Sequence, residues 1–254
     1  MKIIRLFVLA ALASTSAAQS VSEPVRILAL QGRSAHVQGI DTDGVHLWVT
    51  SVDRATRKGW LQEFAVVDGR LERSVEVQDG DHYHPGGIEA DADSLWIPVA
   101  EYKAKSSAVI QKRNKRTLDL EFQFDVPDHI GCLAVTPEFL IGGNWDSHDF
   151  YLWDHKGKLI RKVESTTGNG YQDFKFRGGQ LVASGLLPGN KAAVDWLEFP
   201  AMKLLRRLPL GNTDRSQPLT REGMTIFNNR LWLLPEDGDS RLFVFELPRV
   251  SVAR

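Results

Sequence analysis

The sequence predicts an all-β protein, a five-bladed β-propeller closed by its own N-terminal strand, and three observations support that class. First, one phrase recurs five times: a polar approach, a small residue, a short apolar strand start, a turn, then a Leu-led apolar strand. The copies read HVQGIDTDGVHLWVT from His36, HPGGIEADADSLWIPV from His84, HIGCLAVTPEFLIGG from His129, GYQDFKFRGGQLVAS from Gly170 and TREGMTIFNNRLWLL from Thr220. Second, they are spaced by about 40 to 50 residues, the length of a four-stranded blade. Third, the last copy has a strand too few, and the segment before the first copy is a strand too many.

Taken in order, Val25 to Leu30 comes first and has no blade of its own. In the first blade the phrase supplies two strands, and Trp60 to Val67 and Leu71 to Gln78 supply two more, joined by the hairpin-forming pair Asp68 and Gly69. The second blade adds Ala108 to Lys112 and Leu118 to Phe124, and the cations from Lys112 to Arg116 fall where its outer hairpin should turn, as a solvated tip. The third adds Phe150 to Trp153 and Leu159 to Val163 about Lys156 and Gly157; the fourth adds Val194 to Phe199 and Leu204 to Leu208. After the fifth phrase only Arg241 to Leu247 remains, so Val25 to Leu30 can complete that blade and pair both open edges. Trp48, Trp96 and Trp232 hold one place in three repeats, which marks packing between blades, and Cys132 beside Leu133 reads as a small buried side chain. A β-sandwich would also have many short strands and regular turns, but the recurring phrase argues against it.

Composition narrows the function classes. The 254 residues are 43% hydrophobic and 25% charged, enough apolar material for one core. Thirty-one basic residues against thirty-two acidic ones give a net charge of -1, so no global positive field exists to recruit nucleic acid. The lone Cys132 cannot form an internal disulfide. Lys2 and Arg5, the apolar run Leu6 to Ala13 and small residues at Ser16 and Ala18 follow the secretory pattern, so residues 1–18 read as a signal peptide and 19–254 as one propeller domain. The apolar run falls short of the ~20 residues that span a bilayer, and none of that length follows. The expectation is an exported monomer, periplasmic or secreted, with no transmembrane segment.

Circular symmetry converts repeat position into spatial position. At the start of each inner strand stand His36, His84, His129, Gly170 and Thr220; two positions later come Gln38, Gly86, Gly131, Gln172 and Glu222, with Asp173 and Arg221 adjacent. Three imidazoles would meet at one channel mouth, where neutral nitrogens bind a divalent metal, polarise a substrate or relay protons. The competing reading is that each histidine only hydrogen-bonds a neighbouring strand. The second-strand ends add Ser51 and Asp53, Glu101 and Tyr102, Asn144 and Asp146, and Glu236 and Asp237. Such oxygens suit Ca²⁺ or Mg²⁺, although Asp237 and Gly238 equally suit a turn. Glu101 follows the apolar run Trp96 to Ala100 and would be costly to bury unpaired, while His82 and Tyr83 would reach a ligand from the loop above.

The phrases HYHPGGI (82–88), IPVAEY (97–102), DHIG (128–131) and YQD (171–173) together resemble an uncharacterised bacterial propeller family, a domain of unknown function. The resemblance covers most of the chain after the leader and implies that His84, Glu101, Tyr102, His129, Gln172 and Asp173 share one site. Cys132 departs from it, standing where a second glycine is expected, and TREGM departs most. More distantly the repeats resemble gluconolactonase-type and calcium-dependent nucleotidase propellers, which hold a divalent cation in the channel. Fold analogy transfers no reaction.

The expected site therefore has Glu101, Asp173 and Glu222 as catalytic groups. Its ligand contacts are His36, Gln38, His82, Tyr83, His84, Tyr102, His129, Asn144, Gln172 and Arg221. A divalent metal (Ca, Mg or Zn) would sit on His36, His84 and His129. The ligand is a small polar molecule, and metal-dependent hydrolysis or lactone chemistry is the expected reaction. The alternative is a non-catalytic propeller that binds a cell-envelope component. Nucleophile-elbow, phosphate-loop, zinc-protease helix and dinucleotide motifs are missing from the sequence.

Overall fold

The computed structural model describes residues 23–32 and 34–247, so the expected leader lies outside the described residues. Strand β1 (Arg26–Ala29) precedes the first blade, built from β2 (His36–Thr42), β3 (His46–Asp53), β4 (Lys58–Ala65) and β5 (Leu71–Glu76). Blade two has an inner strand in two pieces, β6 (His84–Pro85) and β7 (Glu89–Ala90), then β8 (Ser94–Ala100), β9 (Ala108–Asn114) and β10 (Leu120–Val126). Blade three comprises β11 (Ile130–Val135), β12 (Leu140–Asn144), β13 (Asp149–Trp153) and β14 (Leu159–Glu164), with a short 3₁₀ turn at Trp145–Ser147 after β12. Blade four holds β15 (Gly170–Arg177), β16 (Gln180–Leu187), β17 (Lys191–Glu198) and β18 (Lys203–Pro209), and blade five β19 (Glu222–Phe227), β20 (Arg230–Pro235) and β21 (Arg241–Glu246).

Each blade is an antiparallel meander, and the fifth sheet has the order β1-β21-β20-β19. The N-terminal strand closes the ring as expected: Arg26 lies opposite Val244 and Ala29 opposite Arg241, and Arg26 donates to Val66 O of blade one at 2.7 Å. Five separate small sheets exclude the β-sandwich. Lys112 and Arg113 lie within β9 rather than at the hairpin tip, and the Arg113 guanidinium is buried against Leu118 O; only the cations after Asn114 occupy the turn.

The core lies between blades. Val37, Ile40, Leu47 and Phe64 of blade one pack on Trp232, Leu234 and Leu242 of blade five. Trp48 packs with Ile88 and Leu95 of blade two, and Trp96 with Leu133 and Leu140 of blade three. The equivalent tryptophans thus wedge successive blades together.

Buried carboxylates cross-link the inner strands. Asp173 Oδ2 accepts from the amides of Ile40 and Met224, both at 3.0 Å, while Asp173 Oδ1 meets Lys175 Nζ at 2.7 Å. Asp41 accepts from the Ala90 amide at 2.8 Å and from Thr225 Oγ1 at 2.6 Å. Glu89 accepts from the amides of Val135 and Phe176 and from Arg177. These bonds run between blades, so the channel centre is protein. Backbone also closes it. A Cβ on Gly39 would lie 2.4 Å from Gly87 Cα, and one on Gly86 2.0 Å from Gly131 O. Only glycine allows such approach, and this explains the HPGGI break in the inner strand of blade two.

Candidate functional site

With its centre filled, the channel leaves a blind cup at one mouth, a cavity of about 350 Å³. Its floor is made by equivalent residues at the starts of inner strands: His36 and Gln38 from β2, His84 from β6, Gln172 from β15 and Glu222 from β19. Its wall adds Arg54, Tyr102, Trp145, Asn190, Arg221 and Glu236 from the loops. Blade symmetry places the first group. Of the second, Arg54, Tyr102, Trp145, Asn190 and Glu236 come from the loops that follow second strands, and Arg221 stands immediately before the inner strand β19.

Glu222 is the most unusual of these groups. It is 6% exposed, and its carboxyl makes no hydrogen bond among the described residues; the nearest partner is His36 Nε2 at 4.0 Å. Burial, and then the charge of Glu236, push its carboxyl up to about 8, so it is protonated at neutral pH. Its backbone φ is +111°, a region that L side chains rarely adopt. Strain of this kind costs roughly 1–3 kcal/mol and persists where the fold over-determines a position.

The imidazoles are held the opposite way. Burial lowers His36, against the raising effect of Glu236, whose Oε1 lies 2.9 Å from His36 Nδ1. The ring is turned off the line of a hydrogen bond there, so the contact is electrostatic. His84 is pushed down to about 3 by burial and then by the neighbouring histidines. Its Nε2 lies 2.9 Å from the Gln38 carbonyl oxygen, which can only accept, so Nε2 carries the proton. That leaves Nδ1 as a buried acceptor without a partner among the described residues. A neutral imidazole and a neutral carboxyl side by side are a base and an acid at the same pH.

The expected histidine cluster is partly assembled. The His84 and His129 rings are 5.4 Å apart, but His129 donates from Nδ1 to Lys103 O at 3.0 Å, packs edge-on against Trp145 and does not line the cup. His36, His84 and His129 therefore do not converge as a ligand set, because Gln38 and Lys103 each engage one imidazole. The groups whose ligand atoms do converge, within 4.8 Å of one another, are His36, Glu222 and Glu236. One imidazole and two carboxylates are donors that suit Zn²⁺ or a similar cation. A second such set, His46, Glu63 and Glu72, lies away from the cup, and its Glu63 is already engaged by Trp48 and Arg73.

Two of the three expected catalytic carboxylates stand elsewhere. Asp173 is fully buried at the ring centre, its oxygens filled by Ile40, Met224, Phe174 and Lys175. Glu101 is paired at 2.5 Å with Lys103, which pulls its carboxyl below the usual range, and accepts from Ser107. Its neighbour Tyr102 turns into the cup, 4.3 Å from the His84 ring. Asn144 faces Asp128 and Asp149, His82 bonds Ser107, and Tyr83 stacks behind Tyr102. Sequence reasoning missed Arg54, Trp145 and Asn190, which lie beyond the repeated phrase; the shared place of second-strand exits, which pointed to Glu236, was the available signal.

The model of DUF6454, a family of unknown function, matches residues 50–169 and so spans the HPGGI, PVAEY and DHIG phrases. No curated protein matches. Among solved structures the chain is similar to a glutaminyl cyclase from Myxococcus xanthus, with a TM-score of 0.67 at 12% identity, covering 90% of this chain and 98% of that one. The WD40 domain of Pan2 from Neurospora crassa gives 0.49 at 10% identity, covering 82% of this chain and 64% of that one. The likeness to the cyclase, at this identity, shows the propeller fold alone.

Proposed function

We propose that this chain, which carries the DUF6454 pattern over residues 50–169, is an exported enzyme whose cup binds a small polar substrate and performs acid–base chemistry at an amide or ester carbonyl. One observation carries the reading: Glu222 is buried, free of hydrogen bonds among the described residues, and beside the neutral His36. A carboxyl that keeps its proton at pH 7 can donate to a carbonyl oxygen or leaving group, and the neutral His36 can take the proton of an attacking amine or water. Gln38, Gln172 and Asn190 offer amides to hold the carbonyl, and Trp145 and Tyr102 offer apolar walls.

The pair can serve hydrolysis of an amide or lactone, or closure of an amine on its own carboxamide with loss of ammonia. The likeness to a glutaminyl cyclase does not assign the second reaction, but it selects peptides beginning with glutamine as the first substrates to assay. The convergence of His36, Glu222 and Glu236 favours a second reading, in which these three residues, with Glu222 as a carboxylate, would hold a divalent cation that would supply Lewis-acid chemistry. A non-catalytic envelope-binding propeller is the reading that remains if neither holds.

The test is ammonia or acid release from glutaminyl dipeptides and simple lactones, with and without chelator. The acid–base reading expects turnover that survives chelator and falls by about 100-fold or more in Glu222→Gln. Turnover abolished by chelator and restored by Zn²⁺ would favour the metal, and no turnover with any of these substrates would favour the binding module.

A further inference from the structure

Arg54 sits at the tip of the β3–β4 turn and is exposed, yet it lines the cup. Its guanidinium lies 4.8 Å over the Tyr102 ring, and among the described residues it has no carboxylate or carbonyl partner. The other exposed charges of the cup face one another: Arg221 meets Glu236 at 3.4 Å, and Glu236 also meets His36. Arg54 is close enough to Glu222, His36 and His84 to act on their charge. Asp53 accepts from the amides of Ala55 and Thr56, and Arg57 ties the turn to blade two through Asp81 at 2.8 Å.

Below Arg54 the aromatic rings continue as a column. Tyr102 stacks on Tyr83 with rings 6.2 Å apart and 16° from parallel, and Arg57 lies 5.1 Å from the Tyr83 ring centroid. A guanidinium attracted to an aromatic face can still turn its N–H fork outward, where a carboxylate binds with two parallel hydrogen bonds.

We propose that Arg54, set on the Tyr102–Tyr83 column, is the anion subsite of the cup and selects a substrate that bears a carboxylate beside its reacting carbonyl. The inference rests on the cup being the substrate site. The substrate class is then a small acid with one further polar end, such as an amino acid derivative, a short peptide with a free terminus or a hydroxy-acid lactone. Tyr102 acts as a positioning residue, and the column fixes the distance between the carboxylate and Glu222.

Three probes of one skeleton test this: glutarate, glutaramate and glutaramide carry two, one and no carboxylates on the same five carbons. Calorimetric titration of the full chain at low salt is expected to give both acids at least about tenfold tighter binding than glutaramide. Arg54→Gln, on an exposed turn, is expected to fold normally and to erase that gap. Arg54→Lys should keep only part of it, because an ammonium can neither fork nor lie flat. Tyr102→Leu should weaken both acids without changing glutaramide. Equal binding of acid and amide, binding of no acid, or a preference that survives Arg54→Gln would overturn the proposal. An acid preference erased by Arg54→Gln without turnover of any assayed substrate keeps the subsite and removes the catalytic reading. Turnover lost in Glu222→Gln, beside an acid preference unchanged in Arg54→Gln, does the reverse.

Discussion

At the residue scale the cup is a place where burial works in opposite directions on acids and bases. Glu222 is raised from 4.5 to about 8, so the folded chain holds a proton there that the unfolded chain has lost. Stability contributed in this way is fully present below about pH 4.5 and is lost as pH rises through about 8, at up to roughly 1.4 kcal/mol per pH unit. Glu89, raised to about 7, and Asp173, raised to about 6, slope the same way. His84, lowered to about 3, has the opposite sign, and its contribution disappears as pH falls from 6.5. Glu222→Gln has no proton to lose there. Urea unfolding at pH 5 and pH 8 is expected to show a wild-type loss that shrinks by about 2 kcal/mol or more in this variant; an unchanged difference would mean that Glu222 titrates normally. Part of this site was legible in sequence. Gln38, Gln172 and Glu222 share one register position, His36 and His84 another two residues earlier, and the ring brings register positions together. Arg54 and Trp145 stand beside Asp53 and Asn144 at second-strand exits that the repeat does align, but an arginine or a tryptophan there carries no ligand pattern of its own.

At the element scale nearly every strand could be read, since apolar runs and turn dipeptides recur with the blade. The exception is the inner strand of blade two, read as continuous from His84 and found split into β6 and β7 around Gly86 and Gly87. What breaks it is backbone from other blades at Gly39, Gly131 and Gln172, contacts between chain-distant positions that a local pattern does not contain. Closure by β1 was legible as a count of strands. It also carries a mechanical consequence: β1 is held along β21 from Val25 to Leu30, the latter donating to Ser240 O at 2.9 Å. Deleting residues 25–30 leaves β21 with an unpaired edge and exposes the seam between blades five and one. Thermal unfolding is expected to fall by 10 °C or more, on the order of a 2 kcal/mol loss or greater, and an unchanged midpoint would contradict the strand pairing.

At the scale of the whole molecule the ring does more than collect side chains. Its centre is filled by Asp41, Glu89 and Asp173, each accepting amides from other blades, so one mouth becomes a dry-floored cup rather than the entrance to a pore. These staples were invisible in sequence, where Asp173 reads as a site carboxylate and nothing ties it to the amides of Ile40 or Met224. Burial beside that filled centre is what keeps a carboxyl protonated at neutral pH, and the acid role of Glu222 follows from it. The most direct measurement is a carbon-13 NMR titration of glutamate side-chain carboxyls in the wild type and in Glu222→Gln. A resonance that titrates near pH 8 and disappears in the variant is the expected result; wild-type and variant spectra that share every resonance titrating above pH 6 would contradict the account.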